Sequence, residues 1–169
     1  MSKVLITGAN RGIGLELCRQ LVSRGDEVIA VCRQASVELR SLSLRVIEGI
    51  DVSETNSINS LATQLGGEKL DWLVNNAGIL SVETLDNLDF NAMEQQFRVN
   101  SLGPLQVTAA LLANLPEGSK VGIVTSRMGS VDDNTSGGYY GYRMSKAAVN
   151  MAGKSLARDL EGRGVAVAL

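Results

Sequence analysis

A cluster of glycines between the first apolar run and the first helical pattern constrains the fold more than any other feature. Residues 3–7 form a short apolar run, and residues 7–14 read Thr-Gly-Ala-Asn-Arg-Gly-Ile-Gly. From Ile13 onward the apolar positions recur with helical spacing. Glycines between a strand and a helix allow a tight turn and let backbone N–H groups approach an anion at the positive end of the helix. The loop therefore predicts the binding of a pyrophosphate group.

The rest of the chain alternates short apolar runs with helical patterns. After residues 3–7, further strands are expected at residues 28–32, 45–50, 70–74, 121–125 and 165–169. Helices are expected from Ile13, from a capping Ser53 to about Leu65, and over residues 90–115 and 142–160, with a kink at Pro104. Residues 127–138 are expected to form a loop. This alternation predicts an α/β fold, a Rossmann-type doubly wound parallel sheet with helices on both faces.

Length and charge narrow the functional classes. With 169 residues, of which 44% are hydrophobic, the chain is expected to form a single domain over residues 1–169. Its net charge of −2 argues against nucleic acid as a partner, and no apolar run is long enough to predict a membrane span. The absence of a secretory pattern and the two isolated cysteines, Cys18 and Cys32, predict a cytoplasmic protein. Because the chain contains no histidine, no metal site is expected.

The end of the second expected strand bears on the choice of cofactor. In dinucleotide-binding folds an Asp or Glu at this place bonds the 2′-hydroxyl of NAD, whereas an Arg accommodates the 2′-phosphate of NADP. Residues 31–34 read Val-Cys-Arg-Gln, and Arg11 in the glycine loop is a second cation. Two arginines can also be ordinary solvated surface residues. The missing acid together with Arg33 favours NADP(H).

Tyr142 and Lys146 are four residues apart, so both lie on one face of the last expected helix. An ammonium beside a phenol stabilises the phenolate, and the tyrosine can then give a proton to a carbonyl oxygen or accept one from an alcohol. Ser126, at the end of the fifth expected strand, is placed to hold the substrate oxygen. Tyr139 and Tyr140 have no lysine four residues on and are expected to lie outside the regular helix.

Six short motifs, in order along the chain, resemble those of the short-chain dehydrogenase/reductase family. They are the glycine loop, the pair Asp51 and Val52, the Asn-Asn-Ala-Gly segment at residues 75–78, Asn100, Ser126, and the Tyr-x-x-x-Lys pair Tyr142 and Lys146. Each motif alone is modest, but together and in this order they are specific. Residues 137–151 are also similar to the C-factor and sniffer-like carbonyl reductases.

The resemblance implies an NADP(H)-dependent oxidoreductase that transfers a hydride between the nicotinamide and a carbonyl or hydroxyl substrate. It implies Asn100, Ser126, Tyr142 and Lys146 as catalytic residues, with Lys146 also binding the nicotinamide ribose. A backbone carbonyl at Asn100 would hold a water that links Lys146 to solvent. Cofactor-binding residues are expected at Gly8, Asn10, Arg11, Gly12, Ile13, Gly14, Arg33, Asp51, Val52, Asn76, Ala77, Gly78, Tyr142 and Lys146.

The resemblance also implies more chain than is present here. Family members continue beyond the position of Leu169 with a substrate-binding segment and a seventh strand, so residues 1–169 alone are expected to be poorly soluble or inactive. A homo-oligomer, dimer or tetramer, is expected of the full-length protein. Two other classes stay open at this point: an NADP(H)-binding regulatory or signalling protein with little turnover, and an epimerase or dehydratase acting on nucleotide sugars.

Overall fold

The computed structural model describes all residues from 1 to 169 and shows one sheet of six parallel strands. The strands are β1 Lys3–Thr7, β2 Glu27–Val31, β3 Arg45–Ile47, β4 Trp72–Asn75, β5 Lys120–Ile123 and β6 Ala166–Ala168. Their order is β3-β2-β1-β4-β5-β6. The strand order reverses between β1 and β4, and in such sheets ligands bind at this reversal, beyond the carboxyl ends of the strands.

Helices cover both faces of the sheet, as expected. They are α1 Gly12–Ser23, α2 Val37–Arg40, α3 Thr55–Leu65, α4 Phe90–Phe97, α5 Gly103–Ala110 and α6 Tyr140–Glu161. Successive residues of a strand point to opposite faces, so Leu5 joins one apolar core while Val4 and Ile6 join the other. The larger core packs against α3, α5 and α6, and the smaller one against α1 and α2. The predicted fold class is confirmed.

The expected helix over residues 90–115 is interrupted more severely than a kink. Between α4 and α5 lies a π-helical turn, Arg98–Leu102, and α5 is followed by a 3-10 turn, Leu112–Asn114. Pro104 has no N–H to donate, and the preceding N–H of Gly103 bonds to the carbonyl of Arg98, five residues back. The proline therefore lies next to a change of helical register and not in a single bent helix.

Two helix starts differ from the sequence-based expectation. Ser53 does not cap α3: the N-cap residue is Glu54, and the N–H and hydroxyl of Ser53 donate to the carboxylate of Asp51, at 2.9 and 2.7 Å. The helix begins two residues later, after Glu54. Helix α6 begins at Tyr140, so that residue lies inside the helix, contrary to expectation, while Tyr139 occupies the N-cap position. None of the helices combines the length and the apolar character that crossing a membrane requires.

Candidate active site

The glycine loop follows β1 and is tied to the segment that follows β4. The side-chain amide of Asn76 donates to the carbonyls of Thr7 and Gly8, at 2.9 and 3.1 Å. The Thr7 hydroxyl accepts from the N–H groups of Asn76 and Ala77, both at 3.1 Å. Gly8 has a positive φ of 66°, and a Cβ there would lie 2.7 Å from the Cα of Ala77. Only glycine fits at this crossing, which brings the two loops together at the reversal of strand order.

A cavity of about 690 Å³ opens beside these loops, at the carboxyl ends of β1, β2, β3 and β4. This volume falls within the usual range for small-molecule sites. Eleven of the expected cofactor-binding residues line it: Gly8, Asn10, Arg11, Gly12, Ile13, Arg33, Asp51, Val52, Asn76, Ala77 and Gly78. Gly14, Tyr142 and Lys146 do not line it. Gly14 packs against the carbonyl oxygen of Gly8 and the amide of Asn76, behind the loop.

The cationic end of the cavity also contains an acid, Asp51, which comes from the end of β3 and not from the end of β2 that carries Arg33. Arg33 is 71% exposed, and its Nη1 lies 3.8 Å from a carboxylate oxygen of Asp51, which follows β3. Partial burial acts to raise the pKa of Asp51, but hydrogen bonds from Ser53 and the nearby Arg33 outweigh it and lower the pKa. Asp51 therefore holds a negative charge beside the guanidinium. An anionic ligand at Arg33 has to compete with it.

Lys146 is buried, with 4% of its surface exposed. Its Nζ donates to the backbone carbonyl of Val124 at 2.8 Å and lies 5.7 Å from the centroid of the Tyr142 ring. A Cβ on Gly78 would be 3.9 Å from this Nζ, so the amine lies just behind the cavity wall. Burial lowers the pKa of Lys146. The pair expected from the Tyr-x-x-x-Lys spacing is therefore side by side in the fold.

Asn100 lies in the π-helical turn and connects the cavity wall to α6. Its Oδ1 accepts from the N–H of Ile79, and its Nδ2 donates to the carbonyl of the same residue, both at 2.8 Å. Nδ2 also donates to the hydroxyl of Ser145 at 3.0 Å, and that hydroxyl donates to the carbonyl of Tyr142 at 2.8 Å. Ser145 was not among the site residues expected from the sequence. Its position three residues after Tyr142 allows a hydroxyl to bond back to the helix, which was the available signal.

Ser126 follows β5 and opens the 3-10 turn Arg127–Gly129. Its hydroxyl accepts from the N–H of Met128 at 3.2 Å. The turn packs on α6, because a Cβ on Gly129 would lie only 2.7 Å from the carbonyl carbon of Lys146. On the other side of Ser126, the Thr125 hydroxyl bonds to the side chain of Asn150 on α6 at 2.5 Å. These contacts hold Ser126 against the helix that carries Tyr142 and Lys146.

Known proteins share this sequence pattern. The family model described as short chain dehydrogenase matches residues 2–169. The chain is 44% identical over 171 residues to 1-hydroxy-2-glutathionyl-2-methyl-3-butene dehydrogenase of Rhodococcus sp. (strain AD45), covering all of this chain and 76% of that protein. It is also 44% identical over 115 residues to C-signal of Myxococcus xanthus, covering 66% of this chain and 69% of that protein.

Solved structures share the fold. NADPH-bound carbonyl reductase from chicken fatty liver superposes with a TM-score of 0.89 at 28% identity, over 99% of this chain and 77% of that one. The carbonyl reductase Sniffer of D. melanogaster gives a TM-score of 0.87 at 27% identity, over 98% and 77% of the two chains. By its sheet order, its motifs and these similarities, the chain belongs to the short-chain dehydrogenase/reductase family of oxidoreductases.

Proposed function

We propose that the chain is an NADP(H)-dependent oxidoreductase that interconverts a carbonyl and a hydroxyl, of the carbonyl reductase type, with Tyr142 as the general acid and base. The observation that carries this proposal is the buried amine of Lys146, held beside the Tyr142 ring at the wall of the cavity. The carbonyl reductases among the similar structures support the same reaction type.

The size of the cavity and the residues that line it suit a dinucleotide. Gly8 lets two loops cross closely, and α1 begins at Gly12 with its positive end toward the loop. The cofactor would be held by the eleven lining residues given above, with Arg11 and Arg33 at the end suited to a 2′-phosphate. Three of the similar solved structures contain NADP or NADPH. When bound, the cofactor supplies the hydride that reduces the carbonyl carbon.

The residues of α6 handle the proton. Tyr142 gives its hydroxyl proton to the carbonyl oxygen during reduction and takes it back during oxidation. Ser126 donates a hydrogen bond to the same oxygen and so orients it. Lys146 stabilises the phenolate form of Tyr142 and would bind the nicotinamide ribose. The carbonyl of Val124 accepts from the amine of Lys146 and so helps to hold this side chain beside the Tyr142 ring.

Asn100 contributes through both its side chain and its backbone. The side chain fixes Ile79 to Ser145, and so the cavity wall to the catalytic helix. Pro104 offers no N–H to the carbonyl of Asn100, four residues earlier. That carbonyl would hold a water that links Lys146 to solvent. Through this water and Lys146, a proton from solvent would return to Tyr142 after it has given up its own.

The test is oxidation of NADPH in the presence of a panel of aldehydes, ketones and quinones. Steady turnover with at least one class supports the reductase. The similarity to C-signal favours a second candidate, an NADP(H)-binding regulatory or signalling protein with little turnover. Tight binding of NADPH by calorimetry without turnover on any substrate of the panel would support that candidate instead.

The remaining expectations belong to the same proposal. The substrate is a small-molecule carbonyl or alcohol, the single domain spans residues 1–169, and the protein is a cytoplasmic homo-oligomer. Light scattering on the full-length protein tests the last point, because a monomeric mass would contradict it.

A further inference from the structure

The helix that carries Tyr142 begins without a capping side chain of its own. Tyr139 stands at the N-cap position with no side-chain hydrogen bond and with a left-handed backbone, φ 52° and ψ 39°. It is the one non-glycine residue of the chain with a positive φ, a conformation that costs free energy. The first N–H groups of a helix have no partners within it. The first turn of α6 therefore depends on groups from elsewhere in the chain.

Glu83, between β4 and α4, supplies those groups. Its side chain is buried, with 2% of the residue exposed. One carboxylate oxygen accepts from the N–H of Gly141 at 3.2 Å, and its backbone carbonyl accepts from the N–H of Tyr139 at 2.9 Å. The carboxylate lies at the positive end of the helix dipole, where a negative charge is favoured. Glu83 thus accepts hydrogen bonds from Tyr139, just before the helix, and from Gly141 in its first turn.

The second carboxylate oxygen of Glu83 is held just as firmly. It accepts from the side-chain amide of Gln96 on α4 at 2.7 Å and from the hydroxyl of Ser81. Gln96 is 1% exposed, and its own oxygen accepts from the N–H of Ser81 at 3.0 Å. We call Ser81, Glu83 and Gln96 the Glu83 cluster. Burying a carboxylate is costly unless its oxygens are hydrogen-bonded, and here all the donors are uncharged.

The Glu83 cluster lies directly against the residue that precedes Tyr142. A Cβ on Gly141 would overlap the amide nitrogen of Gln96 and would lie 2.9 Å from the side chain of Met93. The start of α6 therefore rests on α4 with no space between them. A shift of the Gly141 backbone has to move Tyr142, the next residue, as well.

We propose that Glu83 is a positioning residue, which caps the catalytic helix from outside and so fixes Tyr142 for proton transfer. This inference rests on the proposed role of Tyr142. Neither Glu83 nor Gln96 lines the cofactor cavity, so the effect falls on turnover and not on binding of NADPH. Small displacements of a reacting group are known to cost large factors in rate.

Three variants test the role of Glu83. Glu83→Ala removes the cap, and Glu83→Gln sets an amide group against the amide of Gln96 or takes an acceptor from Gly141. The exchange variant, Glu83→Gln with Gln96→Glu, restores one donor and one acceptor at their contact and leaves an oxygen for Gly141. We expect both single variants to lower kcat by about tenfold or more while the Kd of NADPH stays within about twofold. The exchange variant should recover most of the lost kcat.

Glu94→Ala is the matched control, because Glu94 lies on the same helix as Gln96 and is exposed. It should leave kcat unchanged. The inference is overturned if Glu83→Gln keeps the wild-type kcat, if the exchange variant is no better than Glu83→Gln, or if the Kd of NADPH weakens in parallel with kcat. The last outcome would mark a general loss of structure.

Hydrogen exchange at the Gly141 amide separates this inference from the proposed function. That N–H should be protected in the wild type and the exchange variant and should exchange at least about tenfold faster in Glu83→Ala, which leaves it no side-chain acceptor. This readout needs no substrate, so it decides the capping role even if the wild type turns over nothing. Equal protection in all three proteins would contradict the inference.

Discussion

At the scale of single residues, the surroundings of Lys146 stand out, because a buried amine here has no carboxylate partner. Its neighbours are a backbone carbonyl and the face of a tyrosine ring. Such an environment stabilises the charged ammonium less than water does. Solubility alone does not account for a lysine at this depth, since a solubilising lysine keeps its amine in water.

The pH dependence of stability should report this burial. The pKa of Lys146 is lowered in the folded state below its ordinary 10.5, so between the two pKa values the unfolded chain binds more protons. The destabilisation caused by burying the ammonium is fully present below the pKa of the folded state and is lost as the pH rises above it. The free energy of unfolding of the wild type, relative to Lys146→Met, should therefore rise as the pH approaches 10.5 from below. Urea unfolding of both proteins across this range checks it, and a difference that falls with pH would be the wrong sign.

Arg33 should decide the preference between the two nicotinamide cofactors. A charge-assisted contact contributes about 1.5–3 kcal/mol, so Arg33→Ala should weaken NADPH binding by roughly ten- to a hundredfold and barely affect NADH. The ion pair with Asp51 places the effect toward the lower end, because the guanidinium gives up a partner on binding. Calorimetric titration measures both constants, with Arg19→Ala on the outer side of α1 as the control. Equal losses for NADPH and NADH would refute the role of Arg33.

Tyr142 should be needed for turnover and not for binding. Tyr142→Phe removes only the hydroxyl, so the ring still packs beside Lys146, while kcat should fall by at least roughly a hundredfold. Tyr140→Phe, two residues earlier on the same helix, should stay near the wild type. Steady-state kinetics on a turned-over substrate measures both. If Tyr140→Phe abolishes turnover and Tyr142→Phe does not, the wrong tyrosine has been assigned.

At the scale of elements, the contact between the turn Arg127–Gly129 and α6 holds the two halves of the site together. A methyl group on Gly129 meets backbone atoms of Lys146 and Ala147, which cannot rotate away. Gly129→Ala should therefore lower the free energy of unfolding by about 1–3 kcal/mol and reduce turnover. Gly67→Ala is the matched control, because nothing lies within 4 Å of its added Cβ. Similar stability of the two variants in urea unfolding would show that the turn and helix are not in tight contact.

The strands and the strand-end motifs could be predicted from sequence because they depend on local patterns. All six expected strands are present, and the glycine loop and residues 75–78 meet where the order of parallel strands reverses. Helix starts were less predictable: Ser53 bonds to Asp51 in the preceding loop, and α3 begins one residue after the N-cap residue Glu54. The proline rule predicted a kink at Pro104 and not the full interruption of the helix, since a π-helical turn also depends on the packing around it.

The Glu83 cluster shows where prediction from sequence ends. Glu83 lies in a segment without regular structure and looks like any solvated acid. Its burial follows from Gln96 and Gly141, which are 13 and 58 residues away in the chain. No periodicity connects these positions, so only the folded structure brings them together.

At the scale of the whole molecule, the carboxyl ends of the strands carry the residues for both parts of the proposed reaction, hydride transfer and proton transfer. The β1, β2 and β3 ends build the cationic part of the cavity, while the segments after β4 and β5 bring Gly78 and Ser126 to α6. The wall at Gly78 separates the cavity from the amine of Lys146 by little more than a van der Waals contact. A cofactor in the cavity and the proton donor on α6 are therefore expected to lie on the two sides of the wall at Gly78.

Following the hydride itself tests the proposed reaction most directly. NADPH deuterated at the nicotinamide carbon that gives the hydride is incubated with the protein and a carbonyl substrate found in the panel, and the alcohol is analysed by mass spectrometry. Both stereochemical forms of the label are used. We predict that one form places deuterium on the carbinol carbon, and that Tyr142→Phe still binds NADPH but forms at most about a hundredth as much labelled alcohol. Alcohol without deuterium from either form, or undiminished labelling by Tyr142→Phe, would contradict the proposed reaction.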